Sequence, residues 1–225
     1  VRVKICGITR IDQGKTIAEM GASALGFICA PQSPRYLQPE QIGSIVQSLP
    51  ASPKTGKPID CVGVFVDAEL AEIVQVVEIG RLTSVQLHGT ESSEFCQMLR
   101  SALPDIEIIK ALRIQAPASL MQIVPYETCV DTLLLDAYHP KMMGGTGITI
   151  DWTVLQNFRS RCPWLLAGGL TPTNVLTALS QLTPDGIDLS SGLEHAPGDK
   201  DLEKVAHLFQ QLAEADRQQK TGNRR

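Results

Sequence analysis

Eight short apolar runs, several rich in β-branched residues, recur along the chain: Val3–Cys6, Ala24–Ile28, Cys61–Val66, Ser84–Leu87, Glu107–Ala111, Thr132–Asp136, Trp164–Ala167 and Gly186–Leu189. Several are apolar almost throughout, which fits strands buried on both faces, as in a parallel sheet. Between them, apolar residues fall at helical spacing. Ile42, Ile45, Val46 and Leu49 form one stripe, and Leu70, Ile73, Val74 and Val77 a second. Phe95, Met98, Leu99 and Leu103 form a third, Val175, Ala178, Leu179 and Leu182 a fourth, and Leu202, Val205, Phe209 and Leu212 the last. Each stripe is about one face wide, so each predicted helix covers a surface. Thr171 as N-cap and Pro172 at the first helical position are predicted to open the fourth helix, and the last opens near Asp199. The helical pattern is weak after Lys110 and after Asp151.

Strand and helix in alternation define an α/β fold. An open doubly wound sheet would need spare strands and a second domain, whereas a closed (β/α)8 TIM barrel absorbs all eight strands and leaves no edge. The 225 residues suit one such domain. The barrel is predicted to span 1–215, with polar residues 216–225 as a disordered tail and the proline-bearing stretch 51–60 as a surface loop. Aromatic residues make up only 4%, so aliphatic packing must dominate the interior.

Charge narrows the function classes. The net charge is -4 and the body of the chain has no dense Lys/Arg block, which argues against a nucleic-acid or membrane-surface partner. The apolar runs are too short to cross a bilayer, and the first residues lack a secretory pattern. A cytoplasmic location is the expectation, and the helix faces leave monomer and homodimer both open. The six cysteines, at 6, 29, 61, 96, 129 and 162, form no C-x-x-C pair and no zinc-spaced cluster. Most read as small buried hydrophobes.

In this fold the chemistry sits where strands end and βα loops begin. Cys6-Gly7 closes the first strand, and Ser33-Pro34-Arg35-Tyr36 follows the second. The fourth ends Gln86-Leu87-His88-Gly89, and the sixth ends at Asp136 and runs toward Gly144-Gly145-Thr146-Gly147. Gly168-Gly169 follows the seventh strand, and Asp188-Leu189-Ser190-Ser191-Gly192 closes the eighth. The last two loops are where such barrels commonly hold phosphate, so Gly168, Gly169, Ser190, Ser191 and Gly192 are candidate phosphate ligands, or else simply tight turns. Asp136 is a candidate acid, since partial burial would raise its pKa toward neutrality. Asp188 could orient other groups or touch substrate. Cys6 is a base if nearby cations pull its pKa toward 7, and otherwise one more buried thiol. Arg35 offers a fork for a carboxylate, or is a solvated loop arginine. His88 has no partner at metal spacing and reads as a packing or substrate-contacting group, so no metal is expected.

The ordered set of motifs resembles the phosphoribosylanthranilate isomerase family of tryptophan biosynthesis over nearly the whole chain. It runs through Val3-Lys4-Ile5-Cys6-Gly7-Ile8, Leu25-Gly26-Phe27, Ser33-Pro34-Arg35-Tyr36, Val62-Gly63-Val64-Phe65, Val85-Gln86-Leu87-His88-Gly89, Leu134-Leu135-Asp136-Ala137, Gly144-Gly145-Thr146-Gly147, Ala167-Gly168-Gly169-Leu170 and Asp188 to Glu194. The resemblance implies a cofactor-free Amadori-type rearrangement of a small phosphorylated substrate. It makes Asp136 the general acid and Cys6 the general base. Arg35 then holds a substrate carboxylate, and the last two loops hold the phosphate. A histidine-pathway isomerase should pair two carboxylates, where this chain offers Cys6. A metal-dependent epimerase needs His and Asp ligands at several strand ends. Indole-glycerol phosphate synthase-like chemistry needs Lys and Glu, and only Lys110 stands in such a place. A non-catalytic phosphate-binding barrel has no use for both Cys6 and Asp136.

Overall fold

The computed structural model describes residues 1–53, 55–136 and 152–222, with backbone alone from 218 onward. Strands β1 (Arg2–Cys6), β2 (Ala24–Ile28), β3 (Asp60–Phe65) and β4 (Ser84–Leu87) pair in parallel and in chain order. So do β5 (Glu107–Arg113), β6 (Thr132–Asp136), β7 (Trp164–Ala167) and β8 (Gly186–Leu189), and β8 closes onto β1. All the predicted strands are present, with small changes at their ends.

Side chains alternate across each strand. On β1, Val3 and Ile5 face outward into the aliphatic layer beneath the helices. Arg2, Lys4 and Cys6 therefore face into the barrel. The interior is filled by Ala24, Val62, Ile109, Ala111, Leu134, Leu165 and Ala167. Below this apolar plug, at the N-terminal ends of the strands, Arg2 donates to Glu107 at 2.5 and 2.7 Å and to Asp60 at 2.9 Å. Ser84 and Thr132 donate to the same Glu107 carboxylate, each at 2.8 Å.

Helices α1 (Ile11–Glu19), α2 (Pro39–Ser48), α3 (Leu70–Gly80), α4 (Ser93–Ala102), α5 (Val175–Gln181) and α6 (Leu202–Gly222) surround the barrel. No stripe in the sequence announces α1, because its buried face carries Gln13 and Gly14 beside Ile17 and Ala18. The weakly patterned segments hold only 3-10 turns, Pro117–Gln122 and Trp152–Leu155. The first of these buries no side chain, so nothing extends it.

Two predicted helix starts move. Asn174, not Thr171, caps α5: its Oδ1 accepts from the Thr171 N–H at 2.8 Å and its Nδ2 donates to the Gly169 carbonyl at 3.0 Å, which holds 171–174 as a turn. Asp201, not Asp199, opens α6, with Oδ1 accepting from the N–H groups of Glu203 and Lys204. Asp199 belongs to a small hairpin, β9 (Glu194–Ala196) with β10 (Asp199–Lys200). The stretch from 216, expected as a disordered tail, continues α6 as far as Gly222, because its Arg, Gln and Lys residues are good helix formers. The Gly144–Gly147 motif and Ala137 lie outside the described residues. Among the described residues no helix is long and apolar enough to cross a membrane.

Candidate active site

A cavity of about 350 Å³ opens at the C-terminal ends of the strands. Cys6, Arg35, His88, Asp136 and Asp188 line it, and so do Gly168, Gly169, Ser190, Ser191 and Gly192. Every candidate read from the sequence therefore reaches one space, and the closed sheet brings them together from β1, β2, β4, β6, β7 and β8.

Cys6 sits where it does because of two glycines. Gly26 is its register partner on β2, and a Cβ on Gly26 would lie 2.6 Å from the Cys6 sulfur. No side chain fits there unless the thiol moves. Gly7 follows at φ +81°, where a side chain would be strained, and a Cβ would meet Arg35 Cδ at 2.7 Å. The chain thus turns sharply out of β1 and leaves a path for Arg35 across the mouth. Ser190 Oγ donates to the Cys6 carbonyl at 3.1 Å and ties β1 to the loop after β8.

Lys4 lies one inward position below Cys6. It is fully buried and donates to Asp188, its register partner on β8, at 2.9 Å. Burial pushes the Cys6 thiol above its ordinary value; Lys4 pulls it down, Asp188 pushes it up, and Lys200 pulls it down again. The thiol is thus not drawn down as the sequence reading required of a base: Lys4 and Lys200 act in that direction, but desolvation outweighs them.

On the opposite wall, Gln86 Nε2 lies 2.9 Å from His88 Nδ1. With Gln86 as donor, the imidazole carries its own proton on Nε2. Burial holds the His88 pKa below its ordinary value, while Asp136 pulls it up and Lys4 pulls it down. His88 is therefore a neutral donor near pH 7 rather than a cation. Asp136, at the end of β6, is partly buried beside it.

The loops after β7 and β8 meet. Gly168 and Gly169 both adopt positive φ, at +95° and +62°. A side chain on Gly192 would collide with the Leu170 carbonyl, so only glycine lets the second loop rest on the first. Arg35 projects from beyond β2 and its fork grips Glu194, with Nε to Oε1 at 2.9 Å and Nη2 to Oε2 at 2.5 Å. Among the described residues Nη1 has no acceptor, which leaves that edge for a ligand. Lys200, with no exposed side chain, donates to Glu194 at 2.8 Å and to the Ser190 carbonyl at 3.2 Å. Burial would raise the Glu194 pKa, but hydrogen bonds from Arg35 and Lys200 and the Lys200 charge hold it at about 2. Gln13 of α1 anchors the hairpin by bonding Asp199 and both backbone groups of Lys200.

Gly26, Gln86, Glu194 and Lys200 stand in or under this site without a role assigned from sequence. For Lys4 a signal existed: once Cys6 is placed inward, the period of two places Lys4 inward as well. Lys200 gave none, since it comes from a hairpin beyond the last strand.

Comparison with known proteins agrees with this architecture. Residues 3–211 match the family model described as "N-(5'phosphoribosyl)anthranilate (PRA) isomerase". The chain is 58% identical over 212 residues to the N-(5'-phosphoribosyl)anthranilate isomerase of Acaryochloris marina, covering 94% of this chain and 98% of that relative. The enzyme of the same name from Gloeothece citriformis is also 58% identical, covering 94% of each chain. Among solved structures, phosphoribosyl anthranilate isomerase from Thermotoga maritima superposes with a TM-score of 0.82 at 36% identity, over 93% of this chain and 97% of that one. Another solved structure, a phosphoribosyl anthranilate isomerase in complex with reduced 1-(o-carboxyphenylamino)-1-deoxyribulose 5-phosphate, superposes with a TM-score of 0.80 at 34% identity, over 93% and 96%. With the match running from the first strand into the last helix, this chain belongs to the N-(5'-phosphoribosyl)anthranilate isomerase family.

Proposed function

We propose that this barrel isomerises N-(5-phosphoribosyl)anthranilate to 1-(2-carboxyphenylamino)-1-deoxyribulose 5-phosphate in L-tryptophan biosynthesis. Family membership supports the activity. The observation that carries the mechanism is one cavity holding a thiol and a carboxyl on different strands, with two abutting glycine-rich loops at one side.

Asp136 gives a proton to the furanose ring oxygen, and the anilino nitrogen lone pair opens the ring to an iminium ion. Cys6, as thiolate, removes the C2′ proton, and the electrons of that bond neutralise the iminium to give an enolamine. The 2′-hydroxyl then loses its proton and C1′ gains one as the ketone forms. Protons lost and gained balance, and no electron enters or leaves. The loops bearing Gly168, Gly169, Ser190, Ser191 and Gly192 take the phosphate. Arg35 presents its free edge to the anthranilate carboxylate while Glu194 holds the other edge. His88 and Asp188 face the sugar from opposite sides. A reducing, cytoplasmic setting is part of the proposal, supported by six cysteines that all stand as free thiols.

The test is direct. Purified protein mixed with freshly generated phosphoribosylanthranilate should change the anthranilate-type fluorescence faster than the spontaneous reaction does. Turnover no faster than spontaneous would sink the isomerase reading and leave a phosphate-binding barrel. Turnover confined to the histidine-pathway aldose amine would move the activity to that substrate.

A further inference from the structure

We propose that Lys4 is a positioning residue for the reaction, the buried counter-charge on which ionisation of the Cys6 thiol depends, with Asp188 setting how much of that charge the thiol feels. The inference deepens the reading of Cys6 as general base and rests on it.

Three observations meet at this point. First, Lys4 is a fully buried ammonium in the middle of the barrel. A charge in that place is costly unless paired, and the apolar plug of the interior, which includes Ala24, Val62, Ile109 and Leu134, offers it no partner. Second, Asp188, its carboxylate partner among the described residues, is 10% exposed and lines the cavity, so the pair forms part of the site floor. Third, Lys4 precedes Cys6 by two residues on the same inward face of β1, and its positive charge favours the Cys6 thiolate. The sulfur cannot retreat across β2, because Gly26 is packed directly against it.

The other groups around the thiol serve this end less well. They are Cys29 and Arg35 from the chain after β2, Lys200 on β10 and Asp188 on β8. Arg35 and Lys200 are both committed to Glu194. Cys29 makes a thiol hydrogen bond to Phe27 and is itself held protonated by burial, at about 12. Of the two cations on the thiol's own strand and face, Lys4 is the nearer, and Arg2 is bound to Asp60 and Glu107 below the plug. Its opposition with Asp188 makes a graded device: the carboxylate offsets part of the ammonium's charge, and any contact that draws Asp188 toward a sugar hydroxyl leaves more of that charge for the sulfur.

The experiment reads the thiol rather than turnover. Alkylation of Cys6 by iodoacetamide is followed peptide by peptide in the intact protein across pH, with circular dichroism confirming the barrel. Lys4→Met should slow Cys6 alkylation near neutral pH by about tenfold or more, the effect of removing one close opposite charge. Asp188→Asn should speed it, and Lys4→Met with Asp188→Asn should fall between the two. A structural ion pair would give changes of one sign or none. An unchanged Cys6 profile in folded Lys4→Met overturns the proposal. If Lys4→Met does not fold, Asp188→Asn and the double variant still decide: no acceleration in the first, or equal rates in both, overturns it. Failure of the base assignment looks different, since Cys6→Ala would then keep its kcat while the alkylation shifts remain.

Discussion

The barrel holds two polar clusters, one at each end of its apolar plug, and they are built on opposite rules. At the strand N-termini, both terminal nitrogens of Arg2 donate to Asp60 and Glu107, while its Nε is buried without a partner among the described residues, and Glu107 accepts from Arg2, Ser84 and Thr132. This cluster turns inward, and all but one of its polar groups are bound to one another. At the strand C-termini, Cys6, Asp136, His88 and Asp188 line an open cavity. There Gln86 Oε1 is buried without a hydrogen-bond partner among the described residues, and the Cys6 thiol is held above its ordinary pKa by desolvation. The lower cluster staples β1, β3, β4, β5 and β6 together. The upper one keeps groups in states that cost free energy, which is affordable because the plug and the lower cluster hold the barrel closed. Polarity inside a barrel is therefore not itself a sign of a site. Among the described residues each end leaves one buried polar atom unpartnered, so what separates them is whether the charged groups are spent on one another or face an open space.

The sharpest way to break this comparison is to remove the groups that face the space. Cys6→Ala and Asp136→Asn should each lower kcat by about 10²-fold or more with KM little changed, the usual cost of losing a general acid or base. Neither should lower the urea midpoint appreciably. Steady-state kinetics with a denaturation curve on the same preparation checks both halves. A near-normal kcat removes the residue from its role.

The converse substitution belongs at the other end. Glu107→Gln breaks a pair whose side chains are about one-fifth exposed, at 23% for Arg2 and 21% for Glu107. Fully buried pairs cost 3–5 kcal/mol when broken; discounted for this exposure, a loss of about 2–3 kcal/mol in urea unfolding is expected. The kcat of the remaining folded enzyme should stay at the parent value. A large loss of kcat without loss of stability would show that the lower cluster also tunes the site.

Arg35 stands between the two rules, with one edge satisfied by Glu194 and one facing the cavity. Arg35→Ala should raise KM about tenfold, the worth of one charge-assisted contact of roughly 1.4 kcal/mol. Stability should change less, because Lys200 still neutralises Glu194. An unchanged kcat/KM would make Arg35 a purely structural partner.

The ease of reading this protein from sequence follows the same division. Its strands were legible because buried parallel strands are apolar on both faces, and its rim was legible because reactive residues at strand C-termini interrupt that pattern. The lower cluster was not. Arg2, Asp60 and Glu107 look like ordinary polar flanks of strands, and 105 residues separate Arg2 from Glu107 until the barrel closes. Helix α1 was hidden because it spends its buried face on Gln13 and Gly14, one anchoring the hairpin and the other lying against Ile8 and Ile45. Lys200 reaches the site only because that anchoring folds the hairpin back over β8, a tertiary event with no local signature. The readings that failed, such as Thr171 as a cap, are places where a side chain found a partner in the adjoining loop rather than in its helix.

The smallest expected effect tests the lower cluster through pH. Burial alone would raise the Glu107 carboxyl, but hydrogen bonds and charge from Arg2, with Ser84 and Thr132, hold it below its ordinary 4.5. A carboxyl whose pKa is lower in the folded chain than in the unfolded one binds fewer protons when folded. Its contribution is therefore present above about 4.5 and is lost as pH falls. Asp60 works the other way, since burial raises its carboxyl and makes acid less damaging there. The two partly cancel in the parent protein, so the Glu107 contribution is best isolated as a difference. The gap in unfolding free energy between the parent and Glu107→Gln should be constant near neutral pH and should narrow steadily as pH drops below about 4.5. A gap independent of pH would mean that Glu107 acts there through shape and hydrogen bonding alone, and that the barrel's lower end is held by geometry rather than by charge.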